Sequence, residues 1–227
     1  MPETVLVVGA GAGLSASVAR RFTRDGAAVA LVSRDPGKLQ DLATEIGART
    51  YACDVTDRAA VASMMMAVSA DLGVPDVVMF NPSARARGPF TSLDPEAVKQ
   101  ALLVTCYGGY LICNAAVPPM LRRGSGTLLL TGASASVKGY AQSAPFAMGK
   151  FGLRGLAQSL ARELHPQGIH VAHFVIDGGI RSASRADDGK DALLDPDAIA
   201  ETYFQIARQH RSAWTWEVAL RPWVETF

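Results

Sequence analysis

Short apolar runs recur along this chain, each followed by a longer amphipathic stretch, and that alternation leaves few folds open. TVLVV (4–8), AVALVS (28–33), RTYAC (49–53), DVVMF (76–80), GTLLLT (126–131) and HVAHFVI (170–176) read as strands, with a last short strand near 216–220. Their near-continuous apolarity suggests burial on both faces, as in a parallel sheet. The helices between them carry start signals. Pro36 opens the second, Asp57 caps the third, and Asp94-Pro95 pairs an N-cap with proline at the first helical position. The longest helices should cover about 94–122 and 143–166, with a late one over 195–209. Strand–helix alternation of this kind predicts a doubly wound, mostly parallel α/β sheet of about seven strands in a single domain.

At 227 residues, 49% hydrophobic and 19% charged, the chain suits one globular domain and has no linker or repeat that would divide it. Its net charge of +1, with scattered basic residues, predicts neither nucleic-acid nor membrane binding. The N-terminus runs directly into a strand, and no apolar run reads as long enough to cross a bilayer, so the expected compartment is the cytoplasm. Cys53, Cys106 and Cys113 form no CxxC pair and read as buried thiols in a reducing compartment. His165, His170, His173 and His210 have no ligand spacing, so no metal is expected. Met64-Met65-Met66 reads as packing within the third helix.

VVGAGAGLSASVARRF sets Gly9, Gly11 and Gly13 between the first strand and the first helix, with Leu14 after them. Glycines there permit a sharp turn and bring backbone N–H groups and a helix N-terminus up to a phosphate. The alternative is a glycine turn needed only for packing. Ser15 stands at the last glycine place, where a small residue still allows close helix–sheet contact. About 20 residues beyond the glycines, where a carboxylate would bind the ribose 2′-hydroxyl of NAD, the chain reads Ser33-Arg34-Asp35. A guanidinium makes paired hydrogen bonds to a 2′-phosphate, so NADP(H) is expected over NAD(H). The alternative leaves Arg34 a solvated charge beside Asp35.

Together these segments resemble the short-chain dehydrogenase/reductase family, over nearly the whole chain, and the resemblance implies a Rossmann-type fold. GAGAGLS is similar to the family's cofactor turn, and CDVTD (53–57) to its Asp-Val segment, so Asp54 and Val55 would touch the adenine. FNPSA (80–84) falls where the family has Asn-Asn-Ala-Gly, bringing in Asn81, Pro82 and Ser83. GPF (88–90), GGY (108–110) and the run from Phe151 to Gly179 continue the match in order. After the sixth strand, Pro-Gly has become Asp177-Gly178, with Ile180 and Ser182 where the cofactor's carboxamide and phosphates would lie.

The resemblance also implies a catalytic tyrosine that protonates a carbonyl, a lysine four residues later on the nicotinamide ribose, a serine about 13 residues before the tyrosine, and an asparagine on the preceding long helix. Only the lysine is kept, as Lys150; the other places hold Phe146, Ala133 and Thr105. Ser134, one residue on, could supply the hydroxyl, with Ser136 a weaker choice, or Ser134 could be a turn serine. Tyr140 could act as an acid if its loop folds inward, or could line a wall or an interface. Asp177 is an acid–base candidate if burial raises its pKa, against a loop carboxylate accepting backbone hydrogen bonds. His173 reads as a core residue more than a catalyst. Arg85 and Arg87 could select an anionic substrate or be solvated loop charges.

These readings predict an atypical NADP(H)-dependent oxidoreductase acting on a small, apolar carbonyl, alcohol or activated alkene. Two alternatives stay open: a non-redox isomerase, cyclase or lyase on the same fold, and a nucleotide-binding, non-catalytic partner subunit. The resemblance implies a homodimer or homotetramer through the two long helices and the C-terminal strand. Trp214, Trp216 and Trp223 could serve such an interface or seal the domain's own edge.

Overall fold

The computed structural model describes residues 2–182, 185, 186 and 189–225. Seven parallel strands form one sheet in the order β3-β2-β1-β4-β5-β6-β9. They are β1 (Thr4–Val8), β2 (Ala28–Ser33), β3 (Arg49–Ala52), β4 (Val77–Phe80), β5 (Gly126–Thr131), β6 (Ile169–Ile176) and β9 (Glu217–Leu220). The continuous apolar runs are explained by helices on both faces. Along β1, Leu6 and Val8 join one core, while Val5 and Val7 join the other. The first core lies under α3 (Arg58–Leu72), α5 (Gly108–Arg123) and α6 (Ala144–Leu164); the second lies under α1 (Leu14–Arg24), α2 (Gln40–Ile46) and α7 (Pro196–Ala207). The inner strands therefore bury both side-chain rows and alternation disappears, while the edge strands β3 and β9 stay partly exposed.

Asp57 accepts hydrogen bonds from Ala59 and Ala60 N–H at the start of α3, and Asp94 does the same from Glu96 and Ala97 for α4 (Pro95–Leu102). Pro36 opens a 3₁₀ turn (Pro36–Leu39), and α2 follows only at Gln40. The predicted helix over 94–122 is continuous from Pro95 to Arg123 but loosens into a π segment at Leu103–Tyr107. Just past it the helix lies close on its neighbours: a Cβ at Gly108 would sit 2.8 Å from Val55, and one at Gly109 would sit 2.6 Å from Leu153. By length and composition this helix could cross a bilayer, contrary to the sequence expectation. It packs in the domain core, where Leu111, Ile112, Ala116 and Met120 are buried.

A small parallel pair, β7 (Gly179–Ile180) with β8 (Leu193–Leu194), was not expected from the sequence. Met64 and Met65 are buried and Met66 is exposed. Cys53 and Cys113 are buried, whereas Cys106 is only half-buried, and all three are free thiols. Trp214 stacks on His170 at 4.8 Å and Trp216 packs on the first core, so both seal the domain's own edge; Trp223 is exposed.

Strand order reverses between β1 and β4, which run side by side while their following helices go to opposite faces. At such a switch point the two loops diverge and leave a crevice beyond the carboxyl ends of the strands. The glycine turn forms one lip and Asn81-Pro82-Ser83 the other.

Candidate active site

The glycine turn is held by its own backbone and by Ser15. Gly9 and Ala10 N–H both donate to the Val32 carbonyl at 2.9 Å. Ser15 Oγ accepts from Gly11 N–H at 3.1 Å and donates to the Gly9 carbonyl at 3.3 Å. Gly9 has φ +78°, and a Cβ there would meet Pro82 at 2.8 Å, so its glycine is required by the protein itself. Gly11 and Gly13 differ, because a Cβ on either would meet nothing within 4 Å. Packing does not demand them, which favours the phosphate-approach reading over the packing alternative. No side chain caps α1, so N–H groups of its first turn are left for an anion.

Behind the turn lies a cavity of about 370 Å³ whose walls include Ser33, Arg34, Asp54, Val55, Pro82 and Ser83. Ser33 Oγ is buried with no hydrogen-bond partner among the described residues, so it has capacity for a ligand. Arg34 is exposed at the rim. Its neighbour Asp35 is turned away, accepting from Gly37 N–H at 3.2 Å and pairing with Lys38 at 3.3 Å. Asp54 accepts from the Thr56 N–H and hydroxyl; these bonds, with Arg34 nearby, hold its carboxyl below the usual range. The residues present fit the adenosine half of a dinucleotide.

A second cavity, about 350 Å³, shares Asn81 and Ser83 with the first. Gly13, Leu14, Gly178, Ile180 and Ser182 line it, but Gly11 lines neither cavity. Lys150 and Ser134 stand on its wall with Phe146. Lys150 is fully buried, and its ammonium donates to the Thr131 carbonyl at 2.6 Å. Burial, reinforced by the Arg85 charge, pushes its pKa down to about 7. That bond leaves ammonium donors that a ribose hydroxyl could accept.

Three expectations are corrected. Tyr140 does not fold inward: it is 46% exposed and does not line the cleft. Asp177 is drawn off by two cations, Lys138 at 3.6 Å and Arg221 at 3.8 Å, and it too is absent from the lining. Nor is the cleft lined for the apolar substrate expected from the sequence, because Arg85, Lys150, Arg181 and Arg185 all line it. Among the other positions considered, Thr105 Oγ1 accepts from Ala84 N–H at 3.0 Å and so tethers the β4 loop to the π segment. Ser136 is occupied in accepting from Ala133 N–H. His173 is a core residue, with Nδ1 3.0 Å from Glu217. Arg87 is exposed outside the lining. Sequence reasoning missed Arg181 and Arg185, whose loop carries no periodic signal, and also Thr131, whose carbonyl holds Lys150.

The switch-point crevice, the glycine turn and the buried lysine define a Rossmann-fold dinucleotide-binding domain. The family model described as short chain dehydrogenase matches residues 3–192. The chain belongs to that family. A short-chain dehydrogenase structure from Rhodopseudomonas palustris is 34% identical, with a TM-score of 0.86 over 97% of this chain and 99% of that one. A metagenomic short-chain oxidoreductase in complex with NADP is 28% identical, with a TM-score of 0.85 and 97% of both chains covered. D-threitol dehydrogenase of Mycolicibacterium smegmatis is 28% identical over 74% of this chain and 67% of its own.

Proposed function

We propose that this protein is an NADP(H)-dependent oxidoreductase of a small carbonyl, alcohol or activated alkene, with an altered proton-donating apparatus. The observation that carries the reading is that two cavities meet at Asn81 and Ser83, one ending at Arg34 and the other at Lys150. Arg34 would bind the 2′-phosphate, the uncapped α1 N-terminus the pyrophosphate, and Lys150 the nicotinamide ribose. The cofactor supplies or accepts hydride when bound. Phe146 has no ionisable hydroxyl, so it can shape the site but cannot move a proton. Losing a general acid typically removes on the order of 10²–10⁴ in rate, while orientation and electrostatics remain available. Ser134, half-buried on the cleft wall, is the side-chain hydroxyl best placed to hold a substrate oxygen.

The test is a fluorescence titration of the purified protein with NADPH and, in parallel, NADH. Micromolar or tighter NADPH binding, weakened in Arg34→Ala, supports the reading; no binding of either nucleotide sinks it. Phe146 also favours a second reading, a nucleotide-binding partner subunit without its own turnover. Tight NADPH binding, no turnover across a carbonyl and alkene screen, and co-purification with an intact relative would select that reading.

We also propose a cytoplasmic homodimer. The free thiols suit a reducing compartment. Tyr107, Tyr110, Met148 and Phe151 expose apolar surface along the two long helices, beside a groove of about 360 Å³.

A further inference from the structure

We propose that the substrate is a small organic anion, a carboxylate or phosphate, and that Arg85 is the residue that anchors it. The inference rests on the oxidoreductase reading for what happens after binding; Arg85 lines the cavity that also holds Lys150.

Arg85 comes from the loop after β4, and its guanidinium carbon lies 3.9 Å over the centroid of the Phe146 ring. Phe146 is buried, so the ring is a fixed platform. A guanidinium over an aromatic face is attracted through the ring, and its N–H groups, which lie in its own plane, remain able to donate to a ligand. Among the described residues, no carboxylate pairs with Arg85 and no carbonyl accepts from it.

The surroundings strengthen the charge instead of cancelling it. Among the described residues, four cationic side chains and no carboxylate line this cavity. Arg181 has Asp195 as its partner on the outer side. Arg85, Lys150 and Arg185 have no such neutralising group among the described residues. Partial burial and the charges of Arg87 and Arg185 depress the Arg85 pKa, the response expected where like charges await a counter-ion. A cleft with one sign of charge and low-dielectric walls concentrates ligands of the opposite sign.

The cofactor's own phosphates do not account for Arg85. Its 2′-phosphate falls to Arg34 in the other cavity, and its pyrophosphate falls to the uncapped N-terminus of α1, whose Gly13 and Leu14 line this cavity too. Arg85 leans on α6, four residues before Lys150, where the reacting end of a substrate would lie. A bidentate carboxylate or phosphate matches its paired N–H groups, whereas a neutral ketone would leave the positive cleft uncompensated.

The experiment is isothermal titration of the protein, with and without saturating NADPH, using pyruvate, acetoacetate, methyl pyruvate and inorganic phosphate. At least one oxo acid or phosphate should bind ten times more tightly than the methyl ester. Arg85→Gln should lose that preference tenfold or more with its thermal unfolding unchanged. The neighbouring Arg87→Gln should behave as wild type, which excludes a general charge effect. Oxo-acid binding without phosphate binding identifies a carboxylic acid substrate, and the reverse identifies a phosphate ester. Equal binding of acid and ester, or an Arg85→Gln variant that retains the preference, overturns the proposal. If NADPH fails to bind wild type while Arg85-dependent anion binding persists, the anion site stands and the oxidoreductase reading falls.

Discussion

The Lys150 ammonium is held 2.6 Å from the main-chain carbonyl of Thr131, the last residue of β5. That one bond ties α6 to the mouth of the sheet and keeps a cation where water does not reach. It also makes the lysine titrate near neutrality, at about 7. Between about 7 and the ordinary lysine value of roughly 10.4, the unfolded chain holds this proton and the folded one does not. Stability from this group therefore rises with pH through that window. Lys150→Met should be more stable than wild type at pH 7, on the order of 1–4 kcal/mol, with the difference shrinking by pH 10. Urea unfolding at both pH values measures it, and the same variant should bind NADPH more weakly.

The Thr131 side chain is held from the other face. The Tyr203 hydroxyl donates to Thr131 Oγ1 at 2.9 Å, and the Tyr203 ring, fully buried, stacks on Phe174 at 3.6 Å. Tyr203→Phe keeps the stack and strands the threonine oxygen, costing about 1–2 kcal/mol. Thr131→Val in the same background removes the stranded polar group, so the double variant should regain most of the loss. A double-mutant cycle by chemical denaturation reads the coupling.

His173 should make the protein acid-sensitive. Burial outweighs the Glu217 carboxylate 3.0 Å away and depresses the imidazole to about 4. From about 6.5 down to about 4, the unfolded chain takes up a proton that the folded one refuses, so stability falls with pH across that window. His173→Gln should flatten this part of the profile by about 2–3 kcal/mol. Thermal unfolding at pH 4.5 and 7 tests it; parallel curves for variant and wild type would contradict the assignment.

Arg34 decides between cofactors if the proposed function holds. Removing a guanidinium that pairs with a 2′-phosphate should weaken NADPH binding by about tenfold or more and leave NADH nearly unchanged. An Arg34→Ala variant that loses both nucleotides equally would show that Arg34 supports the loop and does not read the phosphate.

The apolar face of the long helices predicts a dimer that one charge can split. Tyr110 is 46% exposed beside Tyr107, with ring centroids 6.0 Å apart. Tyr110→Lys should shift the light-scattering mass from dimer to monomer without lowering the melting temperature of the domain. A monomeric wild type would refute the interface.

Much of the architecture was determined by the sequence alone. A strand buried on both faces is apolar at most positions, and Val5 to Val8 announce that without help. Asp57 and Asp94 announce helix starts because a cap is a local bond between a side chain and the next turn. The glycine turn and Arg34 were legible for the same reason, since each lies at a set distance from one strand end. What only the tertiary structure decided is which distant loops meet. Arg85 reaches Phe146 across about 60 residues of chain, and Arg181 and Arg185 enter the same cleft from a third segment. Tyr140 and Asp177 look like candidates in sequence, yet one stays in solvent and the other pairs with Lys138 and Arg221. Local bonds are written in neighbouring residues; the charge of a cleft is the sum over side chains that only the completed fold brings together.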